Sequence, residues 1–291
     1  MEIENRIREK RPSLAESSYK TYKSILTNIY KKVYPSDEKI DISKFDDVEC
    51  FMKYLKEIPY NKRKTILASL VVLTGKKEYN KLMMEDIHTH KSSEMNQTKN
   101  EKQTENWLDF DEVQSVLANQ EKNAKTLYLK TVHSTTDLQH IQNYILLCLT
   151  SGVYIEPRRS IDWIMKWKNY DEEKDNYIDM KKNLFVFQSY KTAKTYHRVE
   201  EPIPKKLKTI LTKWFKVNPT EYVLFDTKNS AISSSKITDR LNNIFGKKIS
   251  TSMLRHIFVT HRFGDVNLKE IQETATAMGN SPLQLLQYVK H

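Results

Sequence analysis

Residues 88–105 read HTHKSSEMNQTKNEKQTE and hold one hydrophobic residue, Met95. A stretch this polar has nothing to bury and cannot run through a core. It separates two halves that each carry their own apolar periodicity. The expectation is therefore two domains, 1–87 and 106–291, joined by a flexible polar linker over 88–105. His88 and His90 form an H-x-H pair in that stretch. No cluster of other ligand types surrounds them, so they read as solvated residues rather than a metal site.

The first half reads as helical. Tyr19, Tyr22, Ile25, Leu26, Ile29 and Val33 recur at helical spacing, with Ser13 or Ser17 placed to cap and Pro35 just past the end. A second helix starts near Asp46, carries Val48, Phe51, Met52 and Leu55 on one face, and stops at Pro59. A third holds Ile66, Leu67, Leu70, Val71 and Leu73 and ends near Gly75. A shorter apolar stretch follows at Leu82–Ile87.

The second half begins near Trp107. Asp109 and Asp137 are placed to cap helices, and a further helix is expected over Arg158–Trp167 after Pro157. The period then changes, and Tyr177–Met180, Leu184–Gln188 and Arg198–Ile203 read as three short strands. Helices resume at Pro204–Val217, Ser235–Phe245, Ser252–Phe263, Leu268–Met278 and Leu283–Val289. The expected fold class is mainly α with a small antiparallel β-sheet.

Composition narrows the function. The chain carries a formal net charge of +11 with a pI of about 9.3, which suits a polyanionic partner, nucleic acid first. Lys, Asn, Ile and Tyr are all abundant, as in proteins of AT-rich genomes, so charge alone leaves a merely lysine-rich composition equally open. Only Cys50 and Cys148 are present, which is neither a disulfide framework nor a zinc knuckle and points to a reducing, intracellular setting. No apolar run approaches a membrane span, so no membrane partner is expected. There are five glycines and no phosphate-cradling glycine loop, so any phosphate must be held by side chains.

Four segments of the second half carry the chemistry. They are Arg158-Arg159-Ser160-Ile161-Asp162, then Tyr190-Lys191-Thr192-Ala193-Lys194 between two expected strands, then Ser252-Met253-Leu254-Arg255-His256, then Met278-Gly279-Asn280-Ser281-Pro282 followed by Tyr288. Their order and spacing resemble the catalytic domain of tyrosine recombinases and integrases of the lambda-integrase type. That family carries an R-x-x-E helix start, a lysine on a β-hairpin, an H-x-L-R-H helix, an L-G-H-S-S turn and a late tyrosine. Here the matching positions are Arg159 with Asp162, Lys191, Ser252 with Arg255, Asn280 and Tyr288. The segment RPSLAESSYKTYKSIL is similar to the opening helix of the family's core-binding domain, and Y-K-T-A-K-T-Y is similar to recombinases of large DNA viruses and mobile elements.

The resemblance implies a helical core-binding domain and a catalytic domain that close on duplex DNA as a C-shaped clamp. It implies site-specific cleavage and rejoining through a 3′-phosphotyrosine, with a homotetramer assembled on two DNA sites and no cofactor. The physical chemistry of those residues is compatible. Attack on a phosphodiester builds charge on the non-bridging oxygens, and two guanidiniums, Arg159 and Arg255, can clamp them with paired N–H donors. Asp162, one turn from Arg159, can orient that fork. Lys191 would protonate the leaving 5′ oxygen, Asn280 would donate to the phosphate, and Tyr288 would attack. Arg158 competes with Arg159, and Lys194 with Lys191; the R-x-x-D spacing favours Arg159. His256 and His261 read as packing or buried hydrogen-bonding residues.

The sequence also departs from the family. Its first histidine is Ser252 here, which has no basic nitrogen but can still donate to phosphate. The histidine or tryptophan of the glycine turn is Asn280, and the tyrosine comes one residue sooner than in many members. Members often carry a further helix that docks on a neighbouring subunit; this sequence reaches His291 three residues after Tyr288, which leaves that exchange open. Two other readings stand beside the recombinase: a type IB topoisomerase with similar chemistry, and a non-catalytic DNA-binding protein on the same scaffold.

Overall fold

The chain folds into two compact units, Met1–Asn96 and Gln97–His291. The computed structural model describes residues 2–95, 99–263 and 268–289, with backbone alone for 2, 91–95, 268 and 269.

The first unit is helical: α1 Glu2–Lys10, α2 Glu16–Val33, a 3-10 turn at Ile42–Asp46, α3 Val48–Lys56, α4 Tyr60–Thr74 and α5 Lys77–Met95. Neither expected serine caps α2; Ala15 holds the N-cap position without a side-chain bond. Asp47 caps α3 by accepting from the Cys50 amide. Helix α4 sits centrally against α1, α2 and α5, which is why its run Ile66–Leu73 is apolar on more than one face. Leu67, Leu70 and Leu73 are fully buried with Leu26, Phe45, Phe51 and Leu55. Burial of each such side chain contributes about 2 kcal/mol. A bidentate pair ties α4 to α5: Arg63 Nε and Nη2 donate to Asp86 at 2.8 and 2.6 Å.

The stretch read as a flexible linker is largely structured. Helix α5 continues through His88 and His90 to Met95, and α6, Glu101–Asn106, follows; residues 96–98 lie outside the described residues. The reason is local capping plus one anchor. Asn100 and Gln103 form a reciprocal capping box, and Asn106 Oδ1 accepts from the Lys248 amide at 2.8 Å. Polarity here signals capping and docking, not absence of structure.

In the second unit α7, Phe110–Leu127, and α8, Thr135–Thr150, lead to a 3-10 turn, Ser160–Trp163. Asp109 opens α7 with a capping box to Glu112. Ser134 rather than Asp137 caps α8, and Asp137, in the first turn, is the reciprocal partner of that capping box. Helix α8 forms the middle of the core: Ile141 and the run Ile145–Leu149 are fully buried, with α7, α10 and α11 against it. The chain then forms β1 Met165–Lys166, β2 Asn176–Asp179, β3 Leu184–Phe187, α9 Ala193–Tyr196 and β4 Val199–Pro202. Next come α10 Lys205–Val217, α11 Ser234–Phe245, α12 Thr251–Arg262, α13 Leu268–Ala277 and α14 Pro282–Leu286.

The sheet has the order β1-β2-β3-β4. Strands β2, β3 and β4 are antiparallel, in register Tyr177 to Val186 and Val186 to Glu200. Strand β1 is an addition to the expected sheet and pairs parallel to β2, Met165 opposite Asn176. It replaces the helix expected over Arg158–Trp167, which shrinks to the single 3-10 turn. Two residues are too short to show a period, and the Val223 amide donating to the Met165 carbonyl helps hold them extended. Among the described residues no helix is long and apolar enough to cross a membrane.

Candidate active site

Arg158 and Arg159 diverge although they are neighbours. Arg159 is extended, with φ −68° and ψ 152°, so the two side chains leave the backbone in different directions. Arg158 goes inward and is 1% exposed. Its Nε donates to Asp162 Oδ2 at 3.1 Å, its Nη1 to the Ala277 carbonyl at 2.5 Å, and its guanidinium lies 4.0 Å from the Phe187 ring centroid. Arg159 stays half-buried. Its Nη2 donates to Asn280 Oδ1 at 2.9 Å and its Nη1 to the Gly279 carbonyl at 3.4 Å.

Both arginines therefore grip the turn between α13 and α14, Arg158 from behind and Arg159 at Asn280. Gly279 permits this approach. Its φ is +66°, and a Cβ there would lie 3.2 Å from Arg158 Nη2. The expectation that Asp162 orients Arg159 is corrected: its hydrogen-bonded partner is Arg158, four residues back. The physical reason is the 3-10 turn, which replaces the helix on which the three-residue spacing would have applied. Burial pushes the Asp162 carboxyl up, while Arg158, Arg159 and Arg255 pull it back down. Burial also lowers Arg158, and Asp162 opposes that.

Helix α12 supplies the second guanidinium. Ser250 caps it, and Met253, Leu254, Ile257, Phe258 and Val259 anchor it in the core. Arg255 is 1% exposed, and neither its Nε nor its Nη2 has a hydrogen-bond partner. Burial pushes it down to about 10; Tyr288 draws it back up and Arg159 pushes it further down. It is charged at neutral pH. Its Cζ lies 4.4 Å from the ring centroid of Tyr288. Stacking uses the face of a guanidinium and leaves the in-plane N–H donors, which are the groups that bind an oxyanion.

Tyr288 is half-buried and sits in the turn just after α14, not within a helix. The expected helix Leu283–Val289 ends at Leu286, and the Tyr288 amide closes the turn onto the Leu285 carbonyl at 2.9 Å. His256 makes an edge contact with the Tyr288 ring at 4.6 Å between centroids, and its Nδ1 lies 2.9 Å from the Tyr288 carbonyl.

Asn280 is 3% exposed. Its Oδ1 is taken by Arg159, which leaves Nδ2 as the amide's donor without a partner. Lys191 is exposed on the β3–β4 connection. That connection reaches the same turn through Thr192, whose Oγ1 lies 3.4 Å from the Gly279 carbonyl. Asn176 ties the connection to the 3-10 turn: its Nδ2 donates to the carbonyls of Asp162 and Ser189, and its Oδ1 accepts from two amides. Ser252 is exposed and lines an open depression of about 390 Å³ with His256, Lys102, Asn242 and Lys248.

The structure pairs Arg159 with Asn280, Asp162 with Arg158, and Arg255 with Tyr288, and the charges of Arg159 and Asp162 are near enough to act on Arg255. Lys191 and Ser252 stand on neighbouring segments, Lys191 tied to the Asn280 turn through Thr192 and Ser252 to Arg255 through α12. Arg158, set second to Arg159 on spacing, makes the buried contacts that stabilise the turn; His256, read as a packing or hydrogen-bonding residue, does both, and the structure adds that its partner is Tyr288. A signal for His256 was available, since it follows Ser252 by four residues and shares its helix face. His261 stacks on Phe110 at 4.3 Å, as a packing residue does. Among the described residues no group of His, Cys, Asp and Glu is arranged to hold a metal ion.

No protein-family description matches this sequence, and no curated protein sequence matches it either. Solved structures do. A lambda integrase dimer bound to a COC′ core site is 14% identical, with a TM-score of 0.54 over 99% of this chain and 76% of that one. A lambda integrase tetramer bound to a Holliday junction gives 14% and 0.54 over 98% and 76%. A lambda integrase bound to DNA gives 14% and 0.50 over 94% and 89%. At that identity the likeness establishes architecture, and the chain has the fold of lambda integrase.

Proposed function

We propose that this chain is a site-specific DNA recombinase that cleaves and rejoins strands through a covalent 3′-phosphotyrosine on Tyr288. One observation carries the reading. A buried, charged Arg255 keeps two N–H donors without partners directly beneath the ring of Tyr288. A buried cation with unpaired donors is costly, and an anion is what offsets it.

In this reading the scissile phosphate meets the in-plane donors of Arg255, the fork of Arg159 and Nδ2 of Asn280. Tyr288 loses its phenol proton to solvent as its oxygen attacks phosphorus, the P–O5′ bond breaks, and the 5′ oxygen leaves with a proton from Lys191, which takes one back from solvent. The phosphodiester is exchanged for a phosphotyrosyl ester, so rejoining needs no nucleotide hydrolysis. Asp162 acts indirectly, by holding Arg158 against the turn that carries Asn280. Duplex DNA is the partner, taken up by a basic chain; pairing of cleaved duplexes would use a homotetramer. The two units, Met1–Asn96 and Gln97–His291, would share the DNA.

The test is a denaturing gel for protein-linked DNA. Duplexes enriched from a random pool by binding are nicked near the centre, so that the short cleaved strand diffuses away. An adduct mapped to Tyr288 supports the reading. An adduct on another tyrosine, or none, overturns it. Supercoiled plasmid relaxed without a partner site would indicate the topoisomerase alternative. The non-catalytic alternative is favoured by two residues that depart from the family pattern, Ser252 and Asn280, and predicts binding without any adduct.

A further inference from the structure

Tyr288 lies past the end of a five-residue helix, where its amide still bonds the Leu285 carbonyl but its own carbonyl receives no further turn of the helix. Its carbonyl instead receives side chains from α12. His256 Nδ1 is 2.9 Å away and Thr260 Oγ1 3.4 Å away. A carbonyl oxygen only accepts, so Nδ1 carries the proton and the imidazole is set in one tautomer when neutral. The same imidazole packs on the Tyr288 ring at an interplanar angle of 60°, and Arg255 lies over that ring. Three side chains of one helix, at 255, 256 and 260, thus define where this tyrosine sits. That helix is itself immobilised by five buried apolar residues.

We infer that His256 is the positioning residue for the nucleophile: it fixes the backbone and ring of Tyr288 against Arg255 by donating from Nδ1 to the Tyr288 carbonyl. The inference rests on Tyr288 being the nucleophile. His256 acts through Tyr288 and transfers no proton in this account. The requirement is for a short, rigid donor. Asparagine places its amide nitrogen close to where Nδ1 stands, whereas glutamine places it near Nε2, one atom too far. Misplacing a reacting group by about 1 Å slows the chemical step by roughly 100-fold.

The experiment compares the unaltered protein with His256→Ala, His256→Asn and His256→Gln. Two quantities are read: the single-turnover rate of covalent adduct formation from mildly acid to mildly alkaline pH, and the affinity for uncleaved duplex. In the DNA-free protein, hydrogen exchange is measured at the amides of Tyr288 and Val289, which donate to Leu285 and Leu286. Expected are a loss of roughly 10- to 100-fold in rate for Ala and Gln, rescue to within a few-fold by Asn, and unchanged affinity. Exchange should quicken in Ala and Gln and stay slow in Asn, and the pH profile of Asn should keep its shape. An Asn variant as slow as Ala, with its pH dependence flattened, would overturn the inference in favour of direct proton transfer. Ala with unaltered rate and exchange would remove any role. If the unaltered protein forms no adduct, the recombinase reading fails, and the exchange data alone still decide whether His256 holds Tyr288.

Discussion

The Nε of Arg158 lies 3.1 Å from Oδ2 of Asp162, and both side chains are out of contact with solvent. Removing one partner of such a pair strands a buried charge, at a cost of about 3–5 kcal/mol. Asp162→Ala should therefore lower the unfolding free energy of the second unit by that order. Denaturant titration followed by tryptophan fluorescence checks this, since Trp163 adjoins the pair in sequence. A change below about 1 kcal/mol would show the pair to be dispensable.

The two adjacent arginines should separate by phenotype. Arg158→Lys loses the contacts to Asp162 and Ala277 together and should destabilise the fold. Arg159→Lys should fold normally, since that side chain is half-buried and bonds only at the Asn280 turn, yet should lose adduct formation. Melting curves and adduct gels on both variants decide. The opposite pattern would move the phosphate clamp to Arg158.

Arg255→Lys keeps the charge and loses the fork. Adduct formation should fall on the order of 10²- to 10³-fold, as when a donor to a developing oxyanion is deleted. Duplex affinity, measured by filter binding, should change little. Tyr288→Phe should bind equally well and form no adduct at all.

Gly279→Ala tests the turn. Its positive φ costs about 1–2 kcal/mol for a residue with a Cβ, and the added carbon would press on Arg158 Nη2 at 3.2 Å. A lowered melting temperature with reduced adduct yield is expected, because Asn280 is the next residue. An unchanged melting temperature would mean that the turn adapts.

Stability at acid pH should depend on Asp137. The Lys130 ammonium, then the amide and hydroxyl of Ser134, hold its carboxyl down at about 2. A folded value below the unfolded one stabilises the fold above the unfolded value, and that contribution is lost as pH falls toward about 2. Asp137→Asn should show a shallower decline of melting temperature over that range than the unaltered protein. Parallel declines would exclude the linkage.

What the sequence determined by itself follows from short-range rules. Helical periodicity placed α2, α4, α10, α11 and α12 close to where they lie, because a 3.6-residue apolar repeat states which side of a segment is buried. The order of Arg159, Lys191, Arg255, Asn280 and Tyr288 was legible because their spacing lies along the chain. Tertiary structure alone decided that Asp162 pairs with Arg158, that two residues after the 3-10 turn become a parallel strand, and that residues 101–106 dock as a helix. It also decided that His256 meets the Tyr288 carbonyl. The reason is distance in sequence. Arg158 finds Ala277 across 119 residues and Arg159 finds Asn280 across 121. Which of two adjacent arginines turns inward depends on acceptors that only the folded chain brings near, and no local period encodes that choice.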